Sequence, residues 1–410
     1  MISFSIQHQC PQCGAPAVLQ ETDRLMSCRF CRVTSVLMFP RGMQTALPVC
    51  PSAADKPLMY VPYWRYKGIL FTVLDSGMQD RFVDVSVCAA SSLRFPRSVG
   101  LRSQALKLRY VTPDLPGRFL QPNSEKPDML TVIDRTQLRE VAPNWRFRAT
   151  IGEMQSLVYA PYYLDRKLID AVTDRAVSPM LAEDDELFAL GGEAPEPSIG
   201  FVPALCPSCG WDLRGERDSI CLDCPNCQTL WAVAPSGLRS IPFGYVKAAE
   251  PADGYLPFWR IQAVVGGFQL ESFADLIRLA NLPRVAKATD ADRPFHFWAP
   301  AFKIQAKSLM QLARGLTLMQ PQWETVPEHA RSGHRSVNLP AEEAVETIRL
   351  NMAGWITPRQ KLLPTLAEAP IEAFHHEIVF VPFIAGLHEL TLLGTRISIP
   401  HAHVSLSGNL

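Results

Sequence analysis

Eight of the eleven cysteines have the spacing of metal ligands. They form two sets with the same C-x2-C-x14-C-x2-C pattern, namely Cys10, Cys13, Cys28 and Cys31, and Cys206, Cys209, Cys224 and Cys227. Each C-x2-C turn directs two thiolates toward one point, and two such turns complete a tetrahedron around a soft divalent cation. We therefore predict two bound Zn²⁺ ions, one for each set.

Four cysteine ligands fill the tetrahedral shell of zinc and leave no position for water or a substrate. We therefore expect structural ions, each contributing folding free energy on the order of 10 kcal/mol. One alternative register stays open in the second set. Cys221-Leu-Asp-Cys224 is also a C-x2-C pair, so Cys221 with Cys224 could replace Cys224 with Cys227. The match to the first set favours Cys224 with Cys227.

Two tryptophan–arginine pairs are candidate binding residues. Trp64 and Arg65 end the segment YVPYWR, and Trp259 and Arg260 end the related segment YLPFWR. Such a ring can stack on a base or a proline while the arginine binds a phosphate or carboxylate. The structural alternative is a core tryptophan beside an arginine that packs across the region of the cysteine set. The structural alternative is favoured, because both pairs follow a cysteine set in the same way.

The segments Cys10-Pro-Gln-Cys-Gly14 and Cys206-Pro-Ser-Cys-Gly210 resemble the metal-binding turns of the rubredoxin and transcription-factor zinc-ribbon group. Together with the two tryptophan–arginine segments, they resemble bacterial proteins with duplicated zinc ribbons. This resemblance implies an architecture for the whole chain but no particular activity. Cys28-Arg-Phe-Cys31 lacks the proline and the following glycine of rubredoxin, which disfavours iron and a rubredoxin-like electron carrier.

The repeated motifs indicate an internal duplication, since both cysteine sets and both tryptophan–arginine segments recur at nearly the same separation. An acidic stretch rich in glycine and proline between the copies predicts an exposed linker. The predicted fold class is α+β, with two tandem copies of a zinc ribbon followed by a small, mainly antiparallel sheet domain with a few helices. The predicted boundaries are 1–45 for the first ribbon, 46–182 for the first α+β domain, 183–200 for the linker, 201–240 for the second ribbon and 241–410 for the second α+β domain.

Hydrophobic patterns predict individual elements in each copy. Residues 64–74 and 83–87 flank the turn signal Asp75-Ser-Gly77 and predict a β-hairpin. A second hairpin is predicted around Gly266-Gly267, between residues 261–265 and 268–270. Helices are predicted after Ser272, after Ser308 and over 344–352 from their apolar stripes.

Composition limits the classes of partner. Lysine plus arginine equals aspartate plus glutamate at 40 each, so no overall field attracts nucleic acid or an anionic membrane. Nucleic-acid binding would depend on a local basic stretch opposed by Asp114 alone, formed by Arg94, Arg97, Arg102, Lys107, Arg109 and Arg118. This stays an alternative.

Signatures of catalysis are absent from the sequence: it contains no H-E-x-x-H, G-x-S-x-G, phosphate-binding G-x4-G-K-[ST] or G-x-G-x-x-G motif after a strand. Five histidines lie late in the chain, at His375, His376, His388, His401 and His403. His401 and His403 would project to one side of a strand and could form a third metal site, although chance clustering is the simpler interpretation.

Cysteines used for metal rather than disulfides favour the cytoplasm. The first residues do not resemble a signal peptide, and no apolar run approaches the length of a membrane span. These observations predict a zinc-binding, non-catalytic scaffold that engages a protein partner. Nucleic-acid binding and iron electron transfer are the alternatives, and an enzyme with a different motif is a further one.

Overall fold

The structure is a computed structural model that describes residues 5–90, 94–100, 106–122, 127–136, 145–179, 186, 189–196, 199–234, 237–328 and 333–405. It is α+β and mostly sheet, which confirms the predicted class. The strands are β1 Ser5–Gln9, β2 Pro16–Gln20, β3 Leu25–Ser27, β4 Thr34–Met38, β5 Met43–Ala46, β6 Met59–Leu74, β7 Gly77–Cys88, β8 Leu108–Tyr110, β9 Arg118–Phe119, β10 Trp145–Leu164, β11 Lys167–Asp170, β12 Arg175–Pro179, β13 Gly200–Pro203, β14 Cys221–Cys224, β15 Thr229–Ala234, β16 Gly237–Ser240, β17 Phe243–Val246, β18 Gly254–Val265, β19 Phe297–Pro300, β20 Thr325–Val326, β21 Ile371–Ala385, β22 Glu389–Leu392 and β23 Ser398–Pro400. The α-helices are α1 Met129–Thr136, α2 Phe273–Leu279, α3 Ala288–Ala291, α4 Ala306–Met319, α5 Ala341–Ala353, α6 Arg359–Glu368 and α7 His401–Ser405, and a 3₁₀ turn covers Pro51–Ala53.

Two large sheets carry most of the core. Ten strands of the first half form one sheet, and β17 to β23 form a seven-stranded sheet in the second half. Two three-stranded sheets accompany the cysteine sets, with β3, β4 and β13 in one and β14, β15 and β16 in the other. The sheets therefore position both the metal-ligand turns and the tryptophan–arginine segments.

The two halves pair their central strands in the same register. In the first half β6 lies antiparallel to β10 and places Tyr60 opposite Pro161. In the second half β18 lies antiparallel to β21 and places Tyr255 opposite Pro382. In both halves a short strand runs parallel to the long one, β5 beside β10 and β17 beside β21. The repeated sequence motifs thus occupy equivalent positions in the two sheets.

Apolar residues of both halves share one core. Phe71, near the C-terminal end of β6, and Phe147, near the N-terminal end of β10, belong to the same apolar cluster as the buried faces of α4 and α5. Arg359 on α6 also donates to the carbonyl oxygens of Leu74, at 2.9 Å, and Gly77, at 3.1 Å. These contacts join the two large sheets, while the domain boundaries proposed from the sequence stay a prediction.

Several predicted elements are confirmed. The β6–β7 hairpin turns at the Asp75-Ser-Gly77 signal, and α2 begins at a capping box between Ser272 and Asp275. The other two predicted helices correspond to α4 and α5.

Two expectations are wrong. The Gly266-Gly267 turn does not join a hairpin, because β18 pairs with β19 and β21 and no strand follows over 268–270. His401 and His403 lie on helix α7 rather than on a strand.

Candidate metal centres

The first cysteine set converges on one point. Cys10 Sγ lies 3.7 Å from Cys31 Sγ, and Cys13 Sγ lies 3.6 Å from Cys28 Sγ. All four sulfur atoms lie within 4.8 Å of one another. Sulfur atoms bound at 2.3 Å to one tetrahedral ion are separated by about 3.8 Å. The geometry therefore fits a single tetrahedral cation.

The second set has the same arrangement. Cys206 Sγ lies 3.6 Å from Cys227 Sγ, and Cys209 Sγ lies 3.5 Å from Cys224 Sγ. None of the eleven cysteines forms a disulfide. Within the described part of the chain, only these two tetrads bring three or more His, Cys, Asp or Glu side chains close enough to hold a metal ion.

All four turns use the same backbone geometry. The residue after the second cysteine has a positive φ, 71° at Gly14, 61° at Arg32, 73° at Gly210 and 54° at Gln228. Its N–H donates to the carbonyl oxygen of the first cysteine of the turn, at 2.8 to 3.0 Å. Glycine adopts this left-handed conformation without a Cβ penalty, whereas arginine and glutamine incur one. The turn is therefore made even where the glycine of the rubredoxin pattern is missing.

The thiols are arranged to carry negative charge when a cation is present. Backbone N–H groups of Cys31 and Phe30 donate to Cys28 Sγ and lower the pKa of Cys28 to about 6. Burial of Cys206 opposes its ionisation, but N–H groups of its own turn bring its pKa to about 6. Burial and neighbouring sulfur atoms instead raise the pKa of Cys224 to about 12. Four adjacent thiolates therefore need a bound cation to offset their mutual repulsion.

Cys221 lies outside the second tetrad. It shares β14 with Cys224, but three residues along a strand place two side chains on opposite faces. Cys221 is buried in the large shared core, and burial raises its pKa to about 12. The structure therefore places Cys224 and Cys227 together in the second tetrad and leaves Cys221 outside it.

The two metal modules, which comprise β1 to β5 and β13 to β16, pack directly on each other. Leu25 and Val36 from the first form a small core with Leu222 and Trp231 from the second. Strand β13, which precedes the second cysteine set, pairs antiparallel with β4 beside the first set. The carbonyl oxygen of Arg217 also accepts hydrogen bonds from the backbone N–H groups of Arg24, at 2.5 Å, and Leu25, at 2.9 Å. Both tetrads thus belong to one packed unit.

Arg65 is a buried ion-pair residue that joins the first metal module to the first large sheet. Its guanidinium contacts Glu21 at 2.7 Å and both carboxylate oxygens of Asp84, at 2.8 and 2.6 Å. Glu21 lies in the turn between β2 and β3 and is 1% exposed. Lys67 lies 3.8 Å from the same carboxylate. Glu21 and Asp84 could not be predicted from the sequence, because nothing local marks either residue as a partner of Arg65.

The equivalent residues of the second half have different partners. Arg260 is partly exposed and binds Glu377 on the neighbouring strand β21, at 2.8 and 2.6 Å. Trp259 is buried, and its ring N–H donates to the carbonyl oxygen of Leu339 at 2.8 Å. Trp64 is only partly buried and packs between two apolar clusters of the first half. Ligand binding by these four residues stays a prediction.

Among the described residues, the late histidines do not form a group that could hold a metal ion, and a basic face over residues 94–118 stays a prediction. Arg118 donates to the carbonyl oxygens of Gly191, at 2.8 Å, and Ala189, at 3.3 Å. Arg102 lies outside the described residues. His403 shares a hydrogen bond with Ser308 at 2.7 Å.

Comparison with protein-family models, with curated proteins and with solved structures gave no match. Among the described residues, no helix is both long enough and apolar enough to cross a bilayer.

Proposed function

We propose that each tetrad binds one Zn²⁺ ion and that the chain consists of two copies of a zinc ribbon joined to a sheet domain. The matched sulfur tetrads carry this proposal, supported by the equal strand registers of the two halves. Four thiolates close the coordination shell, so the ions stabilise the fold and provide no site for catalysis. The packing between the metal modules makes both ions part of one scaffold.

Two exposed aromatic residues on the metal modules support the proposal that this chain binds a protein partner. Phe30 and Trp211 lie in metal-ligand turns, and their side chains are 70% and 55% exposed. Large aromatic residues dominate binding energy at protein interfaces, and a bound metal would hold these two rigidly. We therefore infer that the turns dock a protein, and that the chain acts in the cytoplasm as a binding scaffold.

A cross-linking pull-down tests the partner. The double variant Phe30→Ala/Trp211→Ala should keep two metal ions and lose the proteins that the wild-type chain captures. Leu387→Ala is the matched control, because Leu387 is 88% exposed but lies far along the chain from both tetrads. If the metal-loaded double variant captures every wild-type partner, the proposed docking surface is wrong.

A further inference from the structure

A cavity lies where the two metal modules meet the first large sheet and the start of helix α5. It has a volume of about 270 Å³ and receives Arg24 from the first module, Asp218 from the second, and Lys303, Asn338 and Glu343 from the second half. At about 30 Å³ for each water in the liquid, this equals the volume of about nine waters. The cavity is therefore large enough for a small organic molecule.

Neither cation of this cavity is held in a direct ion pair, although carboxylates lie near both of them. The guanidinium of Arg24 donates to backbone carbonyl oxygens, at 3.0 Å from Asp23 and 3.5 Å from Glu21, and lies 5.4 Å from the centre of the Phe39 ring. Neither Arg24 nor Lys303 forms a salt bridge with any described carboxylate. Burial lowers the pKa of both side chains, which shows that their positive charge is costly in this environment.

The two carboxylates of the cavity already accept hydrogen bonds. Asp218 accepts from Asn338 Nδ2 at 2.6 Å. Glu343 accepts from the backbone N–H of Gly152, a contact that also crosses between the halves. Both carboxylates are thus already hydrogen-bonded, whereas the Lys303 ammonium has no hydrogen-bond or ion-pair partner among the described residues.

The charge balance and the walls limit what could bind. Two cations and two carboxylates sum to zero, so a monoanion would leave one net negative charge and a dianion two. Phe39, Met43 and Ile220 supply apolar walls beside the charged groups. A ligand with a single carboxylate and an apolar body fits this combination better than inorganic phosphate.

We propose that this cavity binds a small organic monocarboxylate, with its carboxylate between Arg24 and Lys303 and its apolar body against Phe39 and Ile220. The site goes beyond the scaffold role, because it depends on neither the docking turns nor a protein partner. Because it is lined by both metal modules and both halves, its ligand would stabilise their packing.

Calorimetric titration of the metal-loaded full chain tests the site, with isovalerate and phenylacetate as probes and inorganic phosphate for comparison. Both carboxylates should bind saturably and raise Tm as their concentration rises. Lys303→Gln should weaken them by about tenfold or more, since it removes a charge-assisted hydrogen bond. Lys307→Gln is the matched control, because Lys307 is exposed on α4 and should leave binding unchanged.

Three results would overturn the proposal: no saturable binding of either carboxylate at millimolar concentration, phosphate binding as tight as carboxylate binding, or equal affinity in Lys303→Gln. If the Lys303→Gln variant does not fold, a second measurement on the unmutated chain still tests the site. Reductive methylation, followed by mass spectrometry, should be slowed by phenylacetate at Lys303 and not at Lys307. Equal labelling of Lys303 with and without phenylacetate would also overturn the site.

Discussion

The sulfur atoms of each tetrad are placed by two local turns, and the spacing of the cysteines determines both turns. This is why the eight candidate ligands could be identified from the sequence. The choice between Cys221 and Cys227 also followed from the repeat, and the structure explains it by the alternation of side chains along β14.

Substituting Cys224 and Cys221 separately tests the ligand register at the residue scale. Cys224→Ser should reduce the bound metal from two ions to one, because it removes a ligand of the second tetrad. Cys221→Ser should keep two ions. Elemental analysis of the purified variants gives both stoichiometries, and loss of an ion from Cys221→Ser alone would reverse the assignment.

The two arginines of the repeated segments should differ in their effect on stability. Arg65→Met leaves Glu21 buried without its main partner and should cost about 3–5 kcal/mol in the free energy of unfolding. Arg260→Met removes a partly exposed pair with Glu377 and should cost about 1 kcal/mol or less. Urea unfolding of the zinc-loaded proteins measures both costs. A similar loss in the two variants would contradict the structural role assigned to the Glu21–Arg65 pair.

At the scale of elements, the first hairpin was predictable and the second was not. Asp75-Ser-Gly77 joins strands that are neighbours in sequence, so the turn signal and the pairing agree. Gly266-Gly267 gives an equally clear local signal, but β18 pairs with β21 more than a hundred residues later. Long-range pairing therefore overrode the turn chemistry, and no local pattern could show it.

Gly266 is needed for close packing rather than for a hairpin. A Cβ at this position would lie 2.6 Å from Pro370 Cδ, whose ring cannot move aside easily. Gly266→Ala should therefore destabilise the protein by about 1–3 kcal/mol. Gly200→Ala is the control, since its Cβ would meet Met38 at an ordinary 3.7 Å and should change stability by at most about 0.5 kcal/mol. Thermal unfolding compares them, and equal Tm values would contradict the packing argument.

At the scale of the whole molecule, the two halves are joined by a shared core, by Arg359 and by the packed metal modules. The sequence predicted a duplication but not these contacts, since residues such as Arg24 and Lys303 are distant in the chain and carry no common motif. The cavity between the halves was for the same reason not predictable.

The shared core predicts cooperative unfolding. Scanning calorimetry of the zinc-loaded chain should show one main transition, because neither half can unfold without exposing apolar surface of the other. Two well-separated transitions, each with the enthalpy of one half, would show that the halves are independent.

The metal content of the purified chain tests the central claim most directly. Elemental analysis of protein prepared without added metal should give two zinc ions per chain, in a colourless sample whose eight tetrad thiols react only after chelation. Protein that carries iron and is red, or that binds no metal and has its tetrad cysteines in disulfides, would contradict the account.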